Sequence, residues 1–354
     1  MKLPRITLLA TLLLTTPAAA QLQITPPAAT PSPAPEKQKT KPHTITKKKE
    51  AAPAPKPSSS PKPAPAPTVI PAPPTDNPNV DLVFGAYQRG QYKTALELAT
   101  ARAKTGDPKA MTMLGELYSN AMGIRRDYAK AAEWYKRAAD AGDREAMFAL
   151  AMLRISGRGG PVDKGEAVKL MASAAKLGEP KAAYNLALLY LDGQTLPQDV
   201  KRSAELLRQA ADAGLPEAQY ALATFYKEGT GVPKDPERAV RLLQAASLAD
   251  NVDAEVEYAI AMFNGTGTPK NQPAAVALLR KASRQGSAIA QNRLAWVLIN
   301  GVGTSVDKVE GFKWHLVAKT AGKGDPELDK QLSDLPAEDR AKAEAAARKW
   351  LGTK

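Results

Sequence analysis

From Asn79 onward, apolar residues recur at helical spacing in short runs separated by glycine-rich or aspartate-bearing breaks. Ala110, Leu114, Leu117 and Tyr118 share one helical face, and Ala182, Leu186, Leu189 and Tyr190 repeat it two units later. A second run follows each first one, as from Tyr128 to Ala141. The runs keep a fixed step of 36 residues, marked by Ala110, Ala146, Ala182, Ala218, Ala254 and Ala290. Gly106, Gly142, Gly178, Gly214, Asp250, Gly286 and Gly322 keep the same step, as do Ala138, Ala174, Ala210, Ala246, Ala282 and Ala318. So do Asp127, Asp163, Asp199, Asp235, Asn271 and Asp307. Four columns in one register predict a stacked array of helix–turn–helix units.

The breaks carry the chemistry of helix ends. Gly157/Gly159, Gly229/Gly231, Gly265/Gly267 and Gly301/Gly303 mark a turn after the first helix, which starts near Ala110. The aspartate column then fits the N-cap of the second helix. Glu166 three residues after Asp163, and Glu310 after Asp307, make capping-box patterns, and Pro236 follows Asp235 at the first helical position. The glycine column closes the second helix. The alanine columns predict close helix crossings, with larger residues such as Leu114, Trp134 and Leu170 filling the flanking grooves.

The pattern A-x-x-x-L-x-x-x-Y, then G-x-G, then D, then a helix ending A-A-x-x-G, resembles the Sel-one-like repeat, a branch of the tetratricopeptide-like solenoids. It is carried best by Ala110–Tyr118 with Lys130–Ala139, and by Ala218–Ala246 with its Gly229-Thr-Gly-Val-Pro turn. The expected fold is all-α, a right-handed α-solenoid. Six units are expected at 110–145, 146–181, 182–217, 218–253, 254–289 and 290–324, flanked by capping helices over 79–109 and 325–354. The pattern is broken by Arg154 at the tyrosine position, Thr195 at the second turn glycine and Asp250 in the glycine column.

The chain before the repeats reads differently. Lys2 and Arg5, the apolar run Ile6–Leu14 and the small residues up to Ala20 form an export signal over 1–20, with cleavage after Ala20 and a periplasmic or secreted mature protein. Residues 21–78 hold seventeen prolines and eight lysines with almost no apolar surface, which predicts a disordered spacer. Its lysines (Lys47, Lys48, Lys49, Lys56 and Lys62) suit weak contact with an anionic envelope surface. The absence of cysteine excludes disulfides, thiolate metal sites and a cysteine nucleophile.

Of the net charge of +13, only +6 falls on residues 79–354, which argues against nucleic acid as a partner. No later stretch is apolar enough to span a bilayer.

Catalytic chemistry has little material. The two histidines are His43, in the spacer, and His315, which reads as a half-buried packing residue beside Trp314. The glycine pairs lack the Lys-Ser/Thr ending of a phosphate loop, and the aspartates recur too far apart to share an ion. No metal or cofactor is expected. The family resemblance implies a protein or peptide partner on the first-helix face. There the candidate residues are Lys181, Asn185, Asp192, Glu217, Thr224, Glu228, Asp253, Glu257, Asn264, Arg293, Trp296 and Asn300. A cell-wall polymer is the alternative ligand, and an enzyme acting on wall or small-molecule substrates is the third reading.

Overall fold

A computed structural model describes residues 81–352. The expected export signal and spacer lie outside the described residues. Regular structure among the described residues is helical throughout, in sixteen helices. A short helix α1 (Leu82–Gln88) leads into α2 (Tyr92–Lys104). Six pairs follow: α3 (Pro108–Asn120) with α4 (Tyr128–Asp140), α5 (Arg144–Ser156) with α6 (Lys164–Lys176), and α7 (Pro180–Asp192) with α8 (Val200–Asp212). They continue as α9 (Pro216–Glu228) with α10 (Pro236–Leu248), α11 (Val252–Asn264) with α12 (Gln272–Arg284), and α13 (Ala288–Asn300) with α14 (Lys308–Thr320). The chain ends in α15 (Pro326–Ser333) and α16 (Ala337–Gly352). Each helix packs on its partner and on the next pair in line, so the pairs form an all-α solenoid.

Aspartate caps every second helix except α12, where Asn271 takes the place. Its side-chain oxygen accepts the N–H three residues on: Lys130 N at 3.0 Å from Asp127, Glu166 N at 2.8 Å from Asp163, Arg202 N at 2.9 Å from Asp199. The reciprocal half of the expected capping boxes does not form. Asp163 N–H instead donates to Arg154 O (3.0 Å) and Asp307 N–H to Leu298 O (2.9 Å). This bond recurs in all six pairs and ties the second helix to the end of the first. Glu166 pairs with Arg154 Nε, and Glu310 with Lys313 Nζ.

The glycine column closes the second helices by the expected left-handed turn. Gly142 (φ 89°) donates to Ala139 O at 2.9 Å, and Asp143 donates to Ala138 O at 3.0 Å, which is a Schellman closure. Asp250 adopts the same left-handed conformation (φ 59°), which aspartate tolerates better than most side chains.

The residue that completes this closure also caps the next first helix. Asp143 Oδ1 accepts Ala146 N at 2.8 Å; Asp107, Glu179, Asn251 and Ser287 do the equivalent, and Leu215 does not. First helices therefore begin two residues before the Ala110 column, and the structural unit runs from Pro108 rather than Ala110.

Packing follows the small residues. Both alanine columns are buried at 0–2 % exposure. Two further columns stay small at every step: Gly115, Ala151, Ala187, Ala223, Ala259 and Ala295 on the first helix, and Ala131, Ala167, Ser203, Ala239, Ala275 and Gly311 on the second. A Cβ on Gly115 would meet Tyr135, and one on Gly311 would meet Ala295 O, across the unit's own helix pair. The second turn glycine forms the joint between units. A Cβ on Gly231 (φ 67°) would meet Val200 O at 2.7 Å, so the turn of one unit rests on the start of the preceding second helix. Thr195 occupies this place in the third unit without a left-handed backbone, and there Gln198 Nε2 braces the loop against Leu191 O at 2.9 Å.

One interior column carries amide and carboxylate side chains where the early units have Met111, Met147 and Ala183. Gln219 and Gln291 donate to the second-helix carbonyls of Ala211 and Ser283, at 3.3 and 3.1 Å. Glu255 stands at the equivalent place, fully buried, and a carboxylate cannot donate. It instead forms an ion pair with Lys281 Nζ, 2.9 Å from Oε2, and neither carboxylate oxygen makes a hydrogen bond among the described residues.

At the C-terminal end α15 and α16 cover the last pair through Leu328, Ala343, Ala347 and an edge-to-face contact of Trp314 with Trp350 (5.0 Å). His315 is fully buried rather than half-buried, with Nε2 2.9 Å from Asp329 Oδ1. That partner comes from α15 and is invisible to local spacing.

Candidate partner-binding face

The outward face of the first helices is built from a few columns of the repeat. Among the expected residues Lys181, Glu217, Glu228, Asp253, Asn264 and Asn300 are exposed, and Asn185, Asp192, Thr224, Glu257, Arg293 and Trp296 are half-buried. Several are already engaged within the solenoid. Asn185 Nδ2 donates to Lys181 O (2.8 Å) and Asn300 Nδ2 to Trp296 O (2.9 Å), each bonding back one turn on its own helix. Thr224 Oγ1 donates to Tyr220 O at 3.2 Å, and Glu257 accepts Lys227 Nζ at 2.8 Å. Burial holds the Arg293 guanidinium below its ordinary pKa, against the opposing pull of Asp325 and Glu257.

The structure adds residues absent from the expected set. Phe148, Tyr184 and Tyr220 lie 36 residues apart on α5, α7 and α9, all half-buried. One turn further along, Met152, Leu188 and Ile260 join the expected Thr224 and Trp296 in one column, also half-buried. The face is thus a row of partly exposed aromatic and aliphatic side chains running across the units, flanked by charged residues. The aromatic column keeps the same step as the alanines, so its signal was present in the sequence. The choice of polar positions as the ligand stripe passed over it.

The electrostatics of the two helix layers differ. The six first helices, α3 to α13 in alternation, carry six Lys/Arg against eight Asp/Glu; the six second helices carry seventeen against seven. Acid is densest on α9 and α11. Burial raises the Tyr220 hydroxyl pKa, and Glu257, Asp253 and Glu228 raise it further; Tyr184 is raised by burial and then by Glu217. The described residues contain no group of three metal-ligating side chains, and no helix among them is long and apolar enough to cross a membrane.

A search of the curated proteins finds no match. Among solved structures, a Sel1 repeat protein from Oxalobacter formigenes is similar at 27 % identity and a TM-score of 0.61, over 68 % of this chain and 98 % of that one. The fold is also similar to c5321, a protective antigen of uropathogenic Escherichia coli displaying an SLR fold, at 24 % identity and a TM-score of 0.52. That likeness covers 76 % of this chain and 67 % of the other. The Sel1 repeat matches six times in succession, at residues 108–143, 144–179, 180–215, 216–251, 252–287 and 288–323, in the frame that the helix caps define. With its helix pairs in that register and its segments matched end to end, the chain belongs to the Sel1 repeat family.

Proposed function

We propose that this chain is an exported protein–protein interaction scaffold that holds a partner polypeptide on the first-helix face, in an envelope-associated regulatory or assembly role. Sel1 repeat solenoids generally mediate protein–protein interaction and are typically non-catalytic. The observation that carries the reading is the row of half-buried side chains from Phe148 to Trp296 along the first helices. Such a row offers apolar area and ring faces along an extended line, the form in which interfaces concentrate their energy. Export is supported by the basic-then-apolar start before Ala20, and weak attraction to an anionic envelope surface by the lysines of 21–78. The basic second-helix layer favours a second reading, in which the solenoid binds an anionic wall polymer.

Affinity capture with the repeat region, in parallel with sedimentation against purified wall polymer, separates the two. A defined protein captured by the wild type and lost on Leu188→Arg supports the scaffold. Co-sedimentation with polymer and no specific capture supports the second reading and defeats the first.

A further inference from the structure

We propose that the segment held on this face is cationic: an extended stretch of partner polypeptide whose lysine or arginine side chains sit among Glu217, Glu228, Asp253 and Glu257 beside the Tyr184 and Tyr220 rings. The inference rests on the scaffold reading and adds the chemistry of the occupant. Its first support is the contrast between the layers. In a chain whose repeats are basic, the first helices carry one more acid than base once the buried, Lys281-paired Glu255 is set aside, whereas the second helices are net basic by ten charges. A cationic segment is therefore attracted to one layer and repelled by the other, which selects the face as well as the partner.

The second support is local. α9 and α11 together hold Glu217, Glu228, Asp253 and Glu257 on this side, against Lys227 alone. Lys227 is paired with Glu257 at 2.8 Å, while Glu217, Glu228 and Asp253 form no ion pair among the described residues. Glu257, Asp253 and Glu228 raise the Tyr220 hydroxyl pKa after burial does, and Glu217 that of Tyr184, in keeping with carboxylates and rings that share the first-helix layer.

Half-buried rings on a layer that also carries unpaired, exposed carboxylates suit an ammonium or guanidinium group, whose charge meets the acid and whose stem or plane lies on the ring. An acidic segment would meet the same carboxylates as repulsion.

The test is fluorescence anisotropy with the full-length mature chain and two labelled peptides. In one, lysines alternate with serine and leucine; in the other, glutamates replace the lysines. The lysine peptide is expected to bind at low salt, weaken as salt is raised, and weaken about two- to five-fold on each of Glu217→Gln, Glu228→Gln and Asp253→Asn, and about ten- to a hundred-fold on all three. These positions are exposed, so thermal melting is expected to stay unchanged and any loss is a loss of binding. Arg241→Gln on the second-helix layer should leave lysine-peptide binding intact.

Equal binding of the glutamate peptide, weakened by Tyr220→Ala, overturns the cationic inference and leaves the scaffold face standing. Binding of both peptides that no first-helix variant alters overturns both. Binding of neither overturns the cationic inference, while partner capture judges the scaffold separately.

Discussion

The buried charge in the fifth unit makes a quantitative prediction. Glu255 is fully buried, and its only ionic partner among the described residues is Lys281 Nζ at 2.9 Å, which also reaches Asp250 Oδ1 at 3.0 Å. Removing Lys281 leaves a buried carboxylate without its cation, a loss of about 3–5 kcal/mol where the site is sealed. The Lys281 side chain is 42 % exposed, so water can enter where it stood, and the expected cost of Lys281→Met falls to about 2–3 kcal/mol.

Glu255→Gln removes the charge and places a donor within the geometry that Gln219 and Gln291 use toward the carbonyls of Ala211 and Ser283. The corresponding carbonyl, Ser247 O, already accepts Asp250 N and has a second lone pair. Glu255→Gln is therefore expected to be neutral or stabilising by about 1 kcal/mol. In the double variant the Lys281→Met cost should largely vanish, giving a coupling of about 2 kcal/mol in a double-mutant cycle read by urea denaturation. A Lys281→Met variant as stable as wild type, or a Glu255→Gln variant that loses as much as Lys281→Met, would refute the reasoning.

Three other outcomes follow from the joints of the solenoid. Gly142→Ala meets open space and should cost only the left-handed strain of about 1–2 kcal/mol, whereas Gly231→Ala drives a Cβ to 2.7 Å from Val200 O and should cost about 3 kcal/mol or more; equal losses on denaturation would contradict the close-approach account. Ala174→Leu, at a fully buried crossing, should overpack by about 1–3 kcal/mol, and an unchanged melting temperature would show that the crossing has room. The Lys319 ammonium, and after it the His315 imidazole, holds Asp329 below the ordinary carboxylate range. Its contribution is thus complete above the unfolded-state value near 4 and lost as pH falls through the lower folded value; hydrogen exchange in α15 should accelerate there, and α15 protection that is flat through this range would contradict it.

The parts of the fold legible in the sequence were those where one residue type answers one need at every step. The alanine crossings, the glycine closures and the aspartate caps each repeat an identity, so counting finds them. The N-caps of the first helices escaped because Asp107, Asp143, Glu179, Asn251 and Ser287 share a position and a role across four residue types, and Leu215 in the same column makes no side-chain cap. The capping boxes were misjudged because the competing acceptor, a carbonyl nine residues back, is brought near only by folding of the turn.

Of the candidate face, six of the expected residues are exposed and six, Arg293 and Trp296 among them, are half-buried. The row through Phe148, Tyr184 and Tyr220 was not recognised, since a half-buried aromatic and a core aromatic look alike in a helical pattern. His315 shows the same limit: its full burial and its bond to Asp329 depend on where the terminal helices dock.

The central claim is that a partner polypeptide lies on the first-helix layer. It is tested most directly by photo-cross-linking in the full chain, with a photoreactive residue placed at Leu188 or Ile260 on that layer, or at Lys169 or Arg241 on the other. The account predicts one partner polypeptide cross-linked from Leu188 and Ile260 and absent from Lys169 and Arg241. The same partner cross-linked only from Lys169 and Arg241, or equally from all four, would contradict it.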